Sequence, residues 1–168
     1  MSPSDPPPIS LTVASQLTEL TGVRTFIEAL CRQGGLDTQT TAAIVLAVHE
    51  AAANVIRHSH HGRADLPLQI HCFWHVDSFE VRLDDVGDPF DIDAIPEIDP
   101  TELREGGRGV YLMRALMDEL AVLPRADGGN TLRMVKRCSP RQQHSIPLAG
   151  SEKEGQGTAG SAQNTRRL

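Results

Sequence analysis

The chain has 168 residues and a formal net charge of −6, which fits one folded domain with tails and argues against general affinity for nucleic-acid backbones. Its three cysteines, Cys31, Cys72 and Cys138, form no C-x-x-C pair, so a disulfide framework or zinc knuckle is not expected and a reducing compartment fits best. The first eight residues hold no basic and apolar leader, and no apolar run reaches the roughly 18 residues a membrane span needs, so the expected setting is the cytoplasm.

Residues 1–8 are Ser/Pro-rich and read as a disordered lead-in. Ile9 to Val13 alternates apolar and polar as a short strand does. Leu17, Leu20, Val23, Ile27 and Leu30 recur at helical spacing, and Gly34-Gly35 ends that helix. From about Asp37 to His58 the chain is Ala-rich, with Ile44, Leu46, Val48 and Val55 and neither Gly nor Pro, which predicts a long, largely buried helix. Leu68 to Val76 and Phe79 to Leu83 read as strands joined at Asp77-Ser78. Asp88 to Glu105 carries three prolines and seven acidic residues and reads as a loop. Val110 to Leu120 reads as a helix. Ala121 to Leu123 and Thr131 to Arg137 read as a hairpin turned at Asp127-Gly128-Gly129. Residues 139–168 offer Ile146 and Leu148 as their large apolar side chains before Leu168, too few to offset ordering entropy, so a disordered tail follows a domain spanning 9–138. Helices kept apart from a mostly antiparallel sheet predict an α+β fold, a two-layer sandwich with helices on one face.

Three segments carry chemistry. Glu50 and Asn54 lie four apart and share a helix face, with His58 a turn further on. A carboxylate and an amide above an Ala-Ala-Ala stretch are costly to bury unpartnered. Magnesium, which takes oxygen ligands and keeps water and substrate phosphates around it, would account for the pair, as would ordinary hydrogen bonds at a helix edge. Asp85 and Gly87 follow a strand. The carboxylate can accept from an adenine amino group and would reject the oxygen of guanine, and the glycine would admit a flat ring. A plain strand-ending turn uses the same residues. Gly106-Gly107-Arg108-Gly109 opens a helix, where free N–H groups suit phosphate. His58-Ser59-His60-His61 reads as a polar helix end more readily than as a metal site.

In this order, E-x-x-x-N on a helix, D-x-G after a strand and G-x-G before a helix, the chain resembles the Bergerat (GHKL) ATP-binding superfamily. More narrowly, Ala47 to His58 and Leu103 to Glu119 resemble the bacterial anti-sigma factors that are also serine/threonine-protein kinases, and the resemblance covers about Ile9 to Arg137. It implies the Bergerat fold, ATP and Mg2+, with Glu50 as catalytic base and Asn54 as the magnesium ligand. Asp85 would read adenine beside Gly87, with Thr131 bonded to Asp85 and adenine through water. Gly107, Arg108, Gly109 and Val110 would close over the phosphates, and Asp88 to Glu105 would be the lid. The implied partners are a sigma factor of RNA polymerase and an anti-anti-sigma protein of STAS type, phosphorylated on serine by a homodimer that contacts itself through the first strand and helix. No contact with nucleic acid or membrane is implied. Pro89 stands where many relatives have glycine, Ala53 where Thr is common, and Asn130 interrupts a usual Gly-Thr pair. A partner-switch regulator that binds nucleotide without kinase activity is the alternative. A histidine-kinase domain acting in trans fits less well, for lack of an upstream phosphoacceptor helix.

Overall fold

A computed structural model describes residues 7–87, 92, 108–126 and 128–138. The expected tail and most of the expected lead-in and lid lie outside these residues.

The first strand, β1 (Ile9–Ala14), leads through a short 3-10 turn into α1 (Leu20–Gln33). Leu20, Val23, Ile27, Leu30 and Cys31 form the buried stripe of α1, as the three-and-four spacing predicts. Its stop is chemical. Gly35 takes φ 72°, a conformation without penalty for glycine, and the Leu36 N–H reaches back to the Cys31 carbonyl at 3.0 Å. Asp37 then caps the next helix, α2 (Thr38–Asn54), its Oδ1 accepting from the Thr40 N–H at 2.8 Å. Ala47, Ala51, Ala52 and Ala53 are buried, and their small side chains let α2 run close between its neighbours.

A π turn, Val55–Ser59, continues α2. Its mark is the His60 N–H bonding to the Val55 carbonyl at 2.8 Å, five residues back. The remaining elements are β2 (Pro67–Trp74), β3 (Ser78–Asp85), α3 (Arg108–Leu116), β4 (Glu119–Pro124) and β5 (Asn130–Arg137). The strands form one antiparallel sheet in the order β1-β2-β3-β5-β4. Leu68, Ile70, Cys72, Val81, Leu83, Leu132 and Met134 fill its inner face and join the buried residues of the helices in one core. The helices pack side by side with α2 in the middle. This is the α+β sandwich that the alternation of apolar residues predicts.

One expected boundary is wrong. The helix over Val110 to Leu120 stops at Leu116, and Glu119 already pairs with Val135 in the sheet. The Met117 N–H closes the last helical bond, and the Asp118 N–H turns to the Val135 carbonyl at 2.9 Å. No glycine or proline marks this stop, because pairing with β5 supplies it.

Candidate functional site

Glu50 and Asn54 sit half-buried on one face of α2. The first turn of α3 crosses them. A methyl group built on Gly109 would lie 3.0 Å from Asn54 Nδ2, 3.3 Å from Asn54 Oδ1 and 3.1 Å from Glu50 Oε2. Glycine at this point leaves a cradle that a methyl would fill, so the first turn of α3 comes close to both polar groups. Arg108 is exposed beside it, while Val110 is buried at 3% exposure. Gly107 lies outside the described residues.

Asp85 ends β3 on the inner face and is 4% exposed. Three groups converge on its Oδ1. The Ser59 hydroxyl donates at 2.5 Å, the Gly87 N–H donates at 2.8 Å, and His60 Nε2 stands 4.0 Å away. The glycine requirement at 87 differs from the expected one. A methyl there would collide with the Ser59 hydroxyl and come within 2.5 Å of the Ser59 carbonyl oxygen, so the missing side chain makes room for the π turn.

Thr131 requires a correction. It pairs with Asp84 across β3 and β5, and its hydroxyl donates to Asp84 Oδ1 at 2.6 Å instead of reaching Asp85. Successive residues of a strand point to opposite faces, so Thr131 and Asp84 lie on the outer face, where Arg125 pairs with Asp84 at 2.8 Å. Asp85 pairs with Asn130, which is 4% exposed on the inner face. The residue that interrupts the expected Gly-Thr pair thus occupies the register position beside Asp85. Below it, Gly129 takes φ 80°, and a methyl there would strike the Asp85 carbonyl.

The histidine cluster also resolves differently. His58 is exposed, because the π turn breaks the four-residue row from Glu50 and Asn54. His60 is 1% exposed, and its Nδ1 lies 2.9 Å from the hydroxyl of buried Ser15. Among the described residues no group of three His, Cys, Asp or Glu side chains is arranged to hold a metal. A magnesium ion that keeps its waters and phosphate ligands asks for one or two protein oxygens, and the Asn54 amide beside the Gly109 cradle fits that demand. Ser59, His60, Ser15 and Asn130 are the site residues that sequence reasoning misses. For Ser59 and His60 the available signal is polar residues directly after an apolar helix.

Residues 13–136 match the family described as histidine kinase-like ATPase domain. A serine-protein kinase RsbW of Halalkalibacterium halodurans is 30% identical over 139 residues, 78% of this chain and 83% of that protein. The RsbW of Bacillus licheniformis is 32% identical over 124 residues, 68% of this chain and 75% of that one. A crystal structure of the RsbU and RsbW domains of a Mycobacterium tuberculosis protein superposes with a TM-score of 0.55 at 18% identity, covering 79% of this chain and 32% of that one, which speaks for the fold. A carboxylate–amide pair under a glycine cradle, and a buried aspartate at the far end of the same helical rod, are thus features of a chain that belongs to the histidine kinase-like ATPase domain family, in its branch of anti-sigma serine kinases.

Proposed function

We propose that this chain binds ATP with magnesium in the cytoplasm, holds a sigma factor, and phosphorylates a serine on an anti-anti-sigma protein of STAS type. The observation that carries the reading is the Gly109 cradle against Glu50 and Asn54, on the helix whose π-turn end bonds Asp85. Asp85 accepts from the adenine amino group. Gly107, Arg108, Gly109 and the Val110 backbone close over the phosphates. Asn54 offers its amide oxygen to magnesium, which neutralises charge on the phosphates when bound.

Glu50 takes the proton of the attacking serine hydroxyl. The serine oxygen then bonds to the γ-phosphorus, the bond to the β-phosphate oxygen breaks, and ADP leaves. Such transfer needs positioning and charge neutralisation more than covalent help.

The test is transfer of labelled phosphate to the cognate antagonist, run beside nucleotide calorimetry. Glu50→Gln keeps shape but accepts no proton. It is expected to bind ATP like the wild type and to transfer about 10²–10⁴-fold more slowly. Asn54→Ala is expected to lose magnesium-dependent affinity. Wild-type transfer rates in Glu50→Gln would rule out Glu50 as the base. A wild type that transfers nothing to its antagonist would leave a binding-only partner switch.

A further inference from the structure

We infer that Ser59 and His60 are positioning residues for base recognition, holding one oxygen of Asp85 so that the other reads the base. The inference rests on the proposed role of Asp85 as the adenine acceptor and assigns the means by which that role is made selective.

The contacts are one-sided. The Ser59 hydroxyl at 2.5 Å and the Gly87 N–H at 2.8 Å both donate to Oδ1, and His60 Nε2 faces the same oxygen at 4.0 Å. Two donors on one carboxylate oxygen fix the side chain in one orientation. Among the described residues no donor reaches Oδ2, which is left as the acceptor for an incoming amino group. An immobile acceptor discriminates strongly. A base with a carbonyl in place of the amino group meets it lone pair to lone pair, and a carboxylate free to rotate could relieve that conflict.

The role of His60 follows from its tautomer. The ring is fully buried, and Nε2 has no hydrogen-bond partner among the described residues. With the proton on Nδ1, the ring would aim a lone pair at a carboxylate. With the proton on Nε2, it aims an N–H there, and the Ser15 hydroxyl donates to Nδ1 across 2.9 Å. The carboxylate selects the second arrangement. At 4.0 Å the N–H supports Asp85 through its field and not through a full hydrogen bond, so His60 contributes less than Ser59.

The π turn makes the arrangement possible. It brings consecutive residues, Ser59 and His60, to the same carboxylate, and Gly87 leaves the space that Ser59 fills.

The experiment compares affinity for ATP and for inosine triphosphate, which carries an oxygen in place of the adenine amino group. It uses the full chain as wild type, Ser59→Ala and His60→Phe. Ser59→Ala is expected to weaken ATP binding about 3- to 10-fold, the scale of one lost hydrogen bond, and to leave inosine triphosphate binding unchanged. His60→Phe shifts the ratio the same way by less. A merely structural role would lower both affinities together. A wild type that prefers ATP, beside a Ser59→Ala variant with the same ratio, overturns the inference and leaves the adenine reading standing. A wild type that binds both nucleotides equally overturns the adenine reading and the inference with it.

Discussion

His60 is an imidazole sealed between a hydroxyl and a carboxylate. Burial holds its pKa below the ordinary histidine value; Asp85 pulls the other way, and Arg63 adds to the depression. In the unfolded chain the ring titrates near about 6.5. Below that pH the unfolded state takes up a proton that the folded state refuses. The stability tied to neutral His60 is therefore complete above about 6.5 and is lost as pH falls through and below it. Thermal melts from pH 7.5 to 5.5 are expected to show a steeper fall for the wild type than for His60→Phe. Equal slopes would mean that another group governs this range. At this scale the placement of Glu50 and Asn54 on one helix face and of Asp85 at a strand end is legible in the sequence, because these are local patterns, whereas the reason for glycine at 87 is not, since it lies in the Ser59 contact. The choice between Asn130 and Thr131 is not legible. It depends on which residue of β5 stands opposite Asp85, and a shift by one residue exchanges the two faces of the sheet.

Among the elements, the β4–β5 hairpin ties the site to the sheet. Gly128 and Gly129 take φ 90° and 80°, and Gly129 lies against the Asp85 carbonyl. Its glycine is required twice, by dihedral angle and by space. Gly129→Ala is expected to destabilise the fold by about 1–3 kcal/mol from the backbone term alone, with further loss if the Asp85 backbone must move. Gly128→Ala meets only the dihedral penalty, since a methyl there touches nothing within 4 Å. Urea denaturation of both variants checks the order; equal losses would show that contact with Asp85 costs nothing. The hairpin is legible from its glycines and the apolar alternation around them. The end of α3 and the π turn are not, since each is set by what the segment meets in space.

For the molecule as a whole, the layered architecture leaves β1 at a sheet edge and the outer sheet face to charge. On that face Glu80, its side chain 4% exposed, is held by Arg82 and Arg133; burial pushes its carboxyl up, and the two arginines together outweigh it and hold the group below the usual range. β1 is different. Ile9-Ser10-Leu11-Thr12-Val13-Ala14 has no charge and no proline to blunt an edge that no other strand pairs among the described residues, and Ile9 is 42% exposed. We propose that a second copy covers β1 and α1. Light scattering at micromolar concentration is expected to give twice the 18.3 kDa of the chain, with or without nucleotide. A monomer mass would refute it.

The π turn carries a consequence best put as helical phase. In an uninterrupted α-helix each residue advances about 100°, and position 58 would return to the face of Asn54. The wider turn delays that return, so a hydroxyl meets Asp85 and the neighbouring imidazole faces inward while His58 faces solvent. The spacing between Asn54 and β2 is therefore a timing element. A chain shorter by one residue there could keep every assigned catalytic group and still deliver the wrong side chain to the aspartate.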